Sequence, residues 1–293
     1  MIYISADDYG LCDSASAHIQ ACIDEGAINK VSVFPNIDRI DLQKLSENKD
    51  IRLSLHLNLV EGRCMAQAHE LGLIADMHGN LKHTFFGLFK LGIFQKKELE
   101  HQLYKEIKAQ VLFWKSILPQ NTPFCIDSHQ HTHMIPAVFR ALIKVLRDEK
   151  IDLQYMRIPA EPILPYIQTP SLYFTYKPIN IIKQWLLKFL WLLNRQHLKE
   201  YNVPTSYFFG ILFSGKMDEK RVSKVLPKFK KLAEKNGMDT EVLFHPGYTD
   251  TGGCDTENKN IVFKEFYLSS NRKAEFDSVM KISERSVQKN ALH

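Results

Sequence analysis

Seven short apolar runs recur along this chain of 293 residues, at about 2–6, 30–34, 51–59, 123–125, 153–157, 206–212 and 241–244. Stretches with helical periodicity fill much of the sequence between them. Strands that alternate with helices predict a parallel sheet, open or closed, because parallel neighbours need a crossover and a helix is the usual one. Asp13 or Ser14 can cap the first helix and Gly26 can stop it, with Ala15, Ile19, Cys22 and Ile23 on one face. A stronger helix over 97–117 sets Leu99, Leu103, Ile107, Val111 and Trp114 on one side. Further helices are expected at about 39–48, 136–150 and within 216–235, where lysines alternate with Val222, Val225, Leu226, Phe229 and Leu232.

Ionisable residues gather at one end of these runs. Asp7 and Asp8, His56, the stretch from Asp127 to His133, Arg157 and His245 all fall at predicted C-terminal strand ends. Active sites of α/β barrels and open α/β sheets are built there. In Ile126-Asp127-Ser128-His129-Gln130-His131-Thr132-His133, strand alternation puts Asp127, His129, His131 and His133 on one face while the chain stays extended. A solvated His-rich turn is the plainer reading. Three His at alternate positions beside an Asp, out of 12 in the whole chain, favour a site instead. Adjacent Asp7 and Asp8 point to opposite faces of an ideal strand, so both serve one site only if the strand ends there, as Gly10 suggests. Asp8, His56 and His129 together offer the carboxylate and two imidazoles of a catalytic metal site, which keeps one position open for water. Such a cation lowers the pKa of its water and polarises a carbonyl, and Asp7 is the carboxylate beside it that can take the proton.

Composition narrows the class without naming it. Hydrophobic residues at 45% and charged residues at 24% describe a globular chain with material for a large core. The net charge of +5 is mild and no nucleic-acid-binding signature is present. Five cysteines at 12, 22, 64, 125 and 254, without a CxxC pair, predict free thiols and a reducing compartment. The N-terminus carries no signal-peptide pattern, so the cytoplasm is the expected location.

Two segments fall outside the strand–helix alternation. Region 61–95 mixes five Gly with Phe85, Phe86, Phe89 and Phe94 and has no sustained period, which reads as a lid, a substrate-facing excursion or a peripheral insertion. Segment 179–193 holds Trp185, Leu186, Leu187, Phe189, Leu190, Trp191, Leu192 and Leu193, interrupted by Lys183, Gln184 and Lys188. It is too short and too interrupted to span a bilayer, which needs about 20 apolar residues. A helix packed on the barrel wall or on a second subunit, as in a homodimer, is favoured over one lying in a membrane interface.

Taken in order, Ala6-Asp7-Asp8-Tyr9-Gly10, His56-Leu57-Asn58-Leu59 with Glu61-Gly62, the 127–133 stretch and His245-Pro246-Gly247 resemble the YdjC-like carbohydrate deacetylases over nearly the whole chain. Arg157-Ile158-Pro159 and residues 272–275 are weaker matches. The resemblance implies a distorted (β/α) barrel of the polysaccharide deacetylase type, about seven parallel strands with outer helices, forming one catalytic domain over 1–293 with excursions at 62–95 and 170–200. It implies removal of an N-acetyl group from an N-acetylated sugar, oligosaccharide or glycolipid, by attack of a metal-bound water. Carried over by position, Asp8, His56 and His129 hold the metal, Asp7 is the general base, and Arg157 holds the catalytic Asp. His245 is the general acid, with His131 and His133 as rivals, and His131, His133 and Asn58 face the substrate. The resemblance implies magnesium as the one divalent ion, whereas two imidazoles and a carboxylate suit zinc or another transition metal. Other metal-dependent amidohydrolases or phosphoesterases are the rival enzymes, and a non-catalytic sugar-binding relative is the rival outside enzymology.

Overall fold

The first strand, β1 (Ile2–Tyr9), alternates Ile2, Ile4 and Ala6 with Tyr3, Ser5 and Asp7. Its neighbours repeat the pattern. In β2 (Lys30–Val33) Lys30 and Ser32 alternate with two valines, and in β3 (Arg52–Leu57) Arg52, Ser54 and His56 alternate with three leucines. Ser5, Lys30, Ser32, Ser54 and His56 are nonetheless buried, as are the valines and leucines between them. Both faces can be buried only if the polar one curls around an enclosed interior while the apolar one meets a layer of helices. β4 (Phe124–Ser128), β5 (Leu153–Met156), β6 (Ser206–Phe209) and β7 (Asp239–Phe244) complete seven strands in the order β5-β4-β3-β2-β1-β7-β6. All neighbours run parallel. The edge strands β5 and β6 are not neighbours in the sheet, yet Tyr155 Oη and Ser206 Oγ, one on each, lie 2.6 Å apart. The sheet is thus a curled half-barrel with side chains bridging its seam, as expected for a distorted (β/α) barrel.

The computed structural model describes residues 1–36, 42, 45, 48, 50–199, 201–248 and 265–290, with side chains as far as Ile282 in the last segment. The helix expected over 39–48 lies mostly outside these residues, as does Cys254. The outer layer comprises α1 (Asp13–Asp24), α2 (Phe85–Phe94), α3 (Lys96–Ile117), α4 (Pro136–Asp148), the short α5 (Leu164–Ile167), α6 (Pro178–Lys199), α7 (Glu219–Lys235) and α8 (Ser270–Asn290). The predicted faces are buried in α1 (Ala15, Ile19, Cys22 and Ile23) and in α3 (Leu99, Leu103, Ile107, Val111 and Trp114). In α7, Val222, Val225 and Phe229 are buried and the Asp218 side chain caps the helix by accepting from Arg221 N at 3.0 Å.

Several expectations are corrected. The extended run through His133 ends at Ser128, because Ser128 Oγ accepts from His133 N at 3.0 Å and winds 129–134 into a turn. Gln130 and His131 take left-handed φ of 52° and 58° there, so the four polar side chains do not share one face. β6 stops at Phe209 rather than continuing to 212, since the buried Glu161 carboxylate captures the N–H groups of Gly210, Ile211 and Leu212 at 2.5, 2.6 and 3.1 Å. Region 61–95 is not without helix: Thr84 caps α2, and aromatic residues on several sides hid its period. The region is fastened to α3 by residues one turn apart. Gln102 accepts from Leu73 N, Glu106 from Met65 N and Ala66 N, and Gln110 from Asn58 N, all at 2.8–3.0 Å. Among the described residues Cys22, Cys64 and Cys125 are free thiols. In α6 the packed side carries Asn180, Gln184, Leu187, Leu190, Asn194 and Leu198, while Trp185 and Phe189 point outward.

Candidate metal and catalytic site

The two aspartates of β1 reach one site by a bulge. Pairing with β2 steps from Ala6↔Val31 to Tyr9↔Val33, three residues against two, and Asp8 absorbs the extra length at φ 72°. A bulge reverses the facing of the residue that carries it. The strand ends at Tyr9, immediately before Gly10 as expected, and it is the bulge at Asp8 that brings both aspartates to one site. Left-handed backbone is costly for a residue other than glycine and concentrates at functional sites. Three of the six such residues among the described residues are Asp8, Gln130 and His131.

Asp8, His56 and His129 come together with their donor atoms within 4.8 Å of one another. Asp8 Oδ1 lies 3.5 Å from His56 Nε2 and 3.2 Å from His129 Nδ1. Tetrahedral ligands on bonds of roughly 2.1 Å stand about 3.4 Å apart, so the spacing fits a cation. Asp8 Oδ1 and His56 Nε2 are buried and have no hydrogen-bond partner among the described residues. Such orphaned atoms are costly unless something binds them.

The supporting contacts sharpen the set. His56 Nδ1 is 2.6 Å from Asp127 Oδ1, and His129 Nε2 is 3.3 Å from Glu61 Oε2. Each imidazole thus turns its far nitrogen to a carboxylate, the arrangement that fixes ring orientation and raises basicity in metal-binding histidines. Tyr267 Oη donates to Glu61 Oε2 at 2.5 Å, and Arg272 Nη2 donates to Asp8 Oδ2 at 2.5 Å, leaving Oδ1 for another partner. A second convergent group, Asp7, His56 and Asp127, has its charges already met. Arg157 forks onto both Asp7 oxygens at 2.6 and 2.8 Å. Asp127 Oδ2 accepts from Lys30, Ser32 and Ser54 at 3.1, 2.7 and 2.8 Å.

Charge balance points the same way. The buried carboxylates around the site, Asp7, Asp8, Glu61, Asp127, Glu241 and Glu275, outnumber the buried cations Lys30, Arg157 and Arg272. Against the cost of burial, Arg272 holds the Asp8 carboxyl well below the usual range, and Arg157 and Lys30 do so for Asp127. Burial opposes charge on His129, but Glu61 and Asp8 raise it to about 10, and Asp7 and Asp127 likewise raise His56 above its ordinary value. Without a cation, imidazolium protons on His56 and His129 can offset part of this excess, and a bound divalent ion would offset it in their place.

The other residues expected at the site divide into two groups. His245, at the end of β7, is partly accessible and its Nδ1 stands 3.4 Å from Glu275 Oε2. His131 is buried against Phe208 with Nδ1 unpartnered, and burial, reinforced by the positive charge of Lys183, keeps it neutral. His133 has both ring nitrogens engaged, with Ser128 Oγ at 2.5 Å and the Arg157 carbonyl at 2.9 Å. The Asn58 side chain builds the turn that carries Glu61, donating to Glu61 O at 2.8 Å and accepting from Val60 N and Glu61 N. Sequence reasoning gave no role to Lys30, Glu241 or Tyr267, and none to Glu61 beyond its motif. Lys30 and Glu241 had a readable signal, a charge at the head of an otherwise apolar run.

Comparison with known proteins is consistent along the chain. The model of the YdjC-like protein family matches residues 1–287. A carbohydrate deacetylase from Xenopus laevis is 24% identical over 277 residues, covering 86% of this chain and 84% of that protein. A chitooligosaccharide deacetylase from Yersinia enterocolitica is 20% identical over 255 residues, 85% of this chain and 83% of its own. Among solved structures, a candidate cellobiose-phosphate cleavage protein from Enterococcus faecalis aligns with a TM-score of 0.64 at 15% identity, covering 98% of this chain and 94% of that one. At that identity the likeness establishes the fold.

Proposed function

Because the chain belongs to the YdjC-like family, we propose that it is a metal-dependent carbohydrate deacetylase, hydrolysing the acetamide of an N-acetylated sugar to acetate and a free amine. The observation that carries the reading is the convergence of Asp8 Oδ1 with two imidazoles that are each backed by a carboxylate. Asp8, His56 and His129 would hold a divalent cation, which when bound would supply Lewis acidity toward the acetamide carbonyl and toward the attacking water. Two imidazoles and one carboxylate favour zinc or another transition metal on ligand softness, against the magnesium that the family resemblance implies.

The remaining roles follow from what each side chain is free to do. Asp7 is the general base: the Arg157 fork holds it in place, and a carboxylate so held still has lone pairs to accept a proton. Arg157 is a positioning residue, tied also to Glu241 Oε1 at 2.8 Å through Nε. His245 gives a proton to the leaving amine, with Glu275 near Nδ1 to orient the ring. His131, neutral and with Nδ1 unpartnered, accepts from a sugar hydroxyl. His133 and Asn58 serve as positioning residues, since their polar atoms are committed within the protein. The test is acetate release from a panel of N-acetylated oligosaccharides by chelator-stripped protein reloaded with zinc or magnesium. No acetate from any substrate with either ion sinks the reading.

A further inference from the structure

Helix α6 is apolar on its outward side as well as its packed side, where Leu187, Leu190 and Leu198 are buried. Its packed side carries amides: Asn180 Nδ2 donates to the Leu212 and Ser214 carbonyls at 3.2 Å, and Asn194 Nδ2 to the Met134 carbonyl at 2.7 Å. Its outward side carries Ile179, Ile182, Trp185, Phe189, Leu192 and Leu193, which are 45–61% exposed. These positions recur every three or four residues and form one stripe along the whole helix. A solvated helix keeps its outward side polar, and a contiguous exposed apolar patch marks an interaction surface. A second apolar surface lies nearby on α2, where Phe86, Ile93 and Phe94 are more than 60% exposed. Gly92 of α2 packs against Ala137, just after the His-rich turn, and Asn194 of α6 bonds to Met134 at the end of that turn. Both surfaces therefore flank the end of the fold where the candidate site is built.

Charge selects among partners. Residues 178–199 contain no Asp or Glu, and outside the inward-facing Lys183 they carry Lys188, Arg195 and Lys199, while α2 carries Lys90 and is followed by Lys96 and Lys97. Lys188 Nζ lies 5.9 Å from the Trp185 ring, so cation and aromatic face outward together. A second copy of the chain meeting this face about a two-fold axis brings cations against cations with no carboxylate from either helix to pair them. An anionic lipid surface meets both features, taking Trp, Phe and Leu at the acyl boundary and Lys and Arg among the headgroups. No helix among the described residues is long and apolar enough to cross a membrane, so contact by this face is peripheral.

We propose that the exposed apolar face of α6, together with that of α2, docks the protein onto an anionic bilayer with the candidate site beside the membrane surface. The proposal does not depend on which reaction the site performs. It is tested by flotation of the full chain with vesicles of phosphatidylcholine alone and of phosphatidylcholine mixed with phosphatidylglycerol. The wild type is expected to float with the anionic vesicles, much less with the neutral ones, and to be released by high salt. Trp185→Ser combined with Phe189→Ser should lower the partition coefficient about tenfold or more, without changing circular dichroism, because both side chains already face outward. Lys90→Glu with Arg195→Glu should weaken anionic-vesicle binding about tenfold or more while leaving the weak binding to neutral vesicles as it was. Failure of the wild type to float with anionic vesicles overturns the proposal. So does retention of full binding by the Trp185→Ser, Phe189→Ser protein, or a sedimentation experiment in which that variant converts a stable dimer to monomer.

Discussion

Loading the site with a divalent cation should expel protons, and the number is set by the charges around it. In the metal-free protein His129 titrates near 10, raised by Glu61 and Asp8 against the opposing effect of burial, and His56 is raised as well. Ligation takes a neutral imidazole, so each bound proton must leave. Stripping a group of pKa about 10 at pH 7 costs about 4 kcal/mol, three units at roughly 1.36 kcal/mol each. Affinity should therefore rise about tenfold per pH unit for each proton displaced, up to about a hundredfold for two. Calorimetric titration of zinc into chelator-stripped protein, in two buffers of different ionisation heat, counts the protons directly. About one to two per ion are expected at pH 7, with Kd falling steadily from pH 6 to 8. Glu61→Gln removes the largest upward influence on His129, so proton release at pH 8 should fall below that of the wild type. Metal-free stability carries the same sign: the contribution of a raised His129 is whole below the unfolded value of about 6.5 and is lost as pH rises through about 10. Zero proton release, or a Kd flat across this range, refutes the placement of the ion on these imidazoles.

Other perturbations separate the roles of neighbouring groups. Asp7→Asn should keep the bound metal while turnover falls roughly 10²–10⁴-fold, as for a general base, and parallel loss of metal makes Asp7 a ligand instead. Tyr155→Phe removes the hydroxyl that touches Ser206 and Glu241 across the β5–β6 seam and should cost about 1–3 kcal/mol in urea unfolding with metal affinity unchanged. An unchanged midpoint removes the seam contact from the account of stability. Burial lowers His133 to about 4, so its contribution is present above the unfolded value of about 6.5 and lost as pH falls toward 4, worth at most about 3 kcal/mol. His133→Gln should flatten that part of the wild-type stability curve, and an unaltered slope assigns acid sensitivity elsewhere.

The strand–helix order was legible because apolar runs and helical faces are local signals. All seven runs became strands, and the buried faces of α1 and α3 are those their periodicity marked. The clustering of ionisable residues at strand ends was legible for the same reason. What could not be read were single-residue departures from regular geometry. The left-handed turn at Asp8 lets two adjacent aspartates face one interior, and those at Gln130 and His131 scatter a run of histidines that alternation had aligned. Asp and His favour such backbone more than most residues do, but too weakly to single these positions out. The carboxylate behind His129 was hidden differently: Glu61 lies next to a recognised motif, but Tyr267, which orients it, is 206 residues away in sequence. The polar barrel interior had a period-two signal in Ser5 and Asp7, Lys30 and Ser32, and Ser54 and His56, outweighed by the apolar residues between them.

The most direct measurement is an anomalous difference map from a crystal of the protein grown with zinc, collected at the zinc edge. The expected result is one strong peak at coordination distance, roughly 2.0–2.2 Å, from Asp8 Oδ1, His56 Nε2 and His129 Nδ1, with Asp7 held by Arg157 nearby. A peak between Asp7 and Asp127, or no peak among these side chains at a zinc concentration that saturates binding in solution, contradicts it.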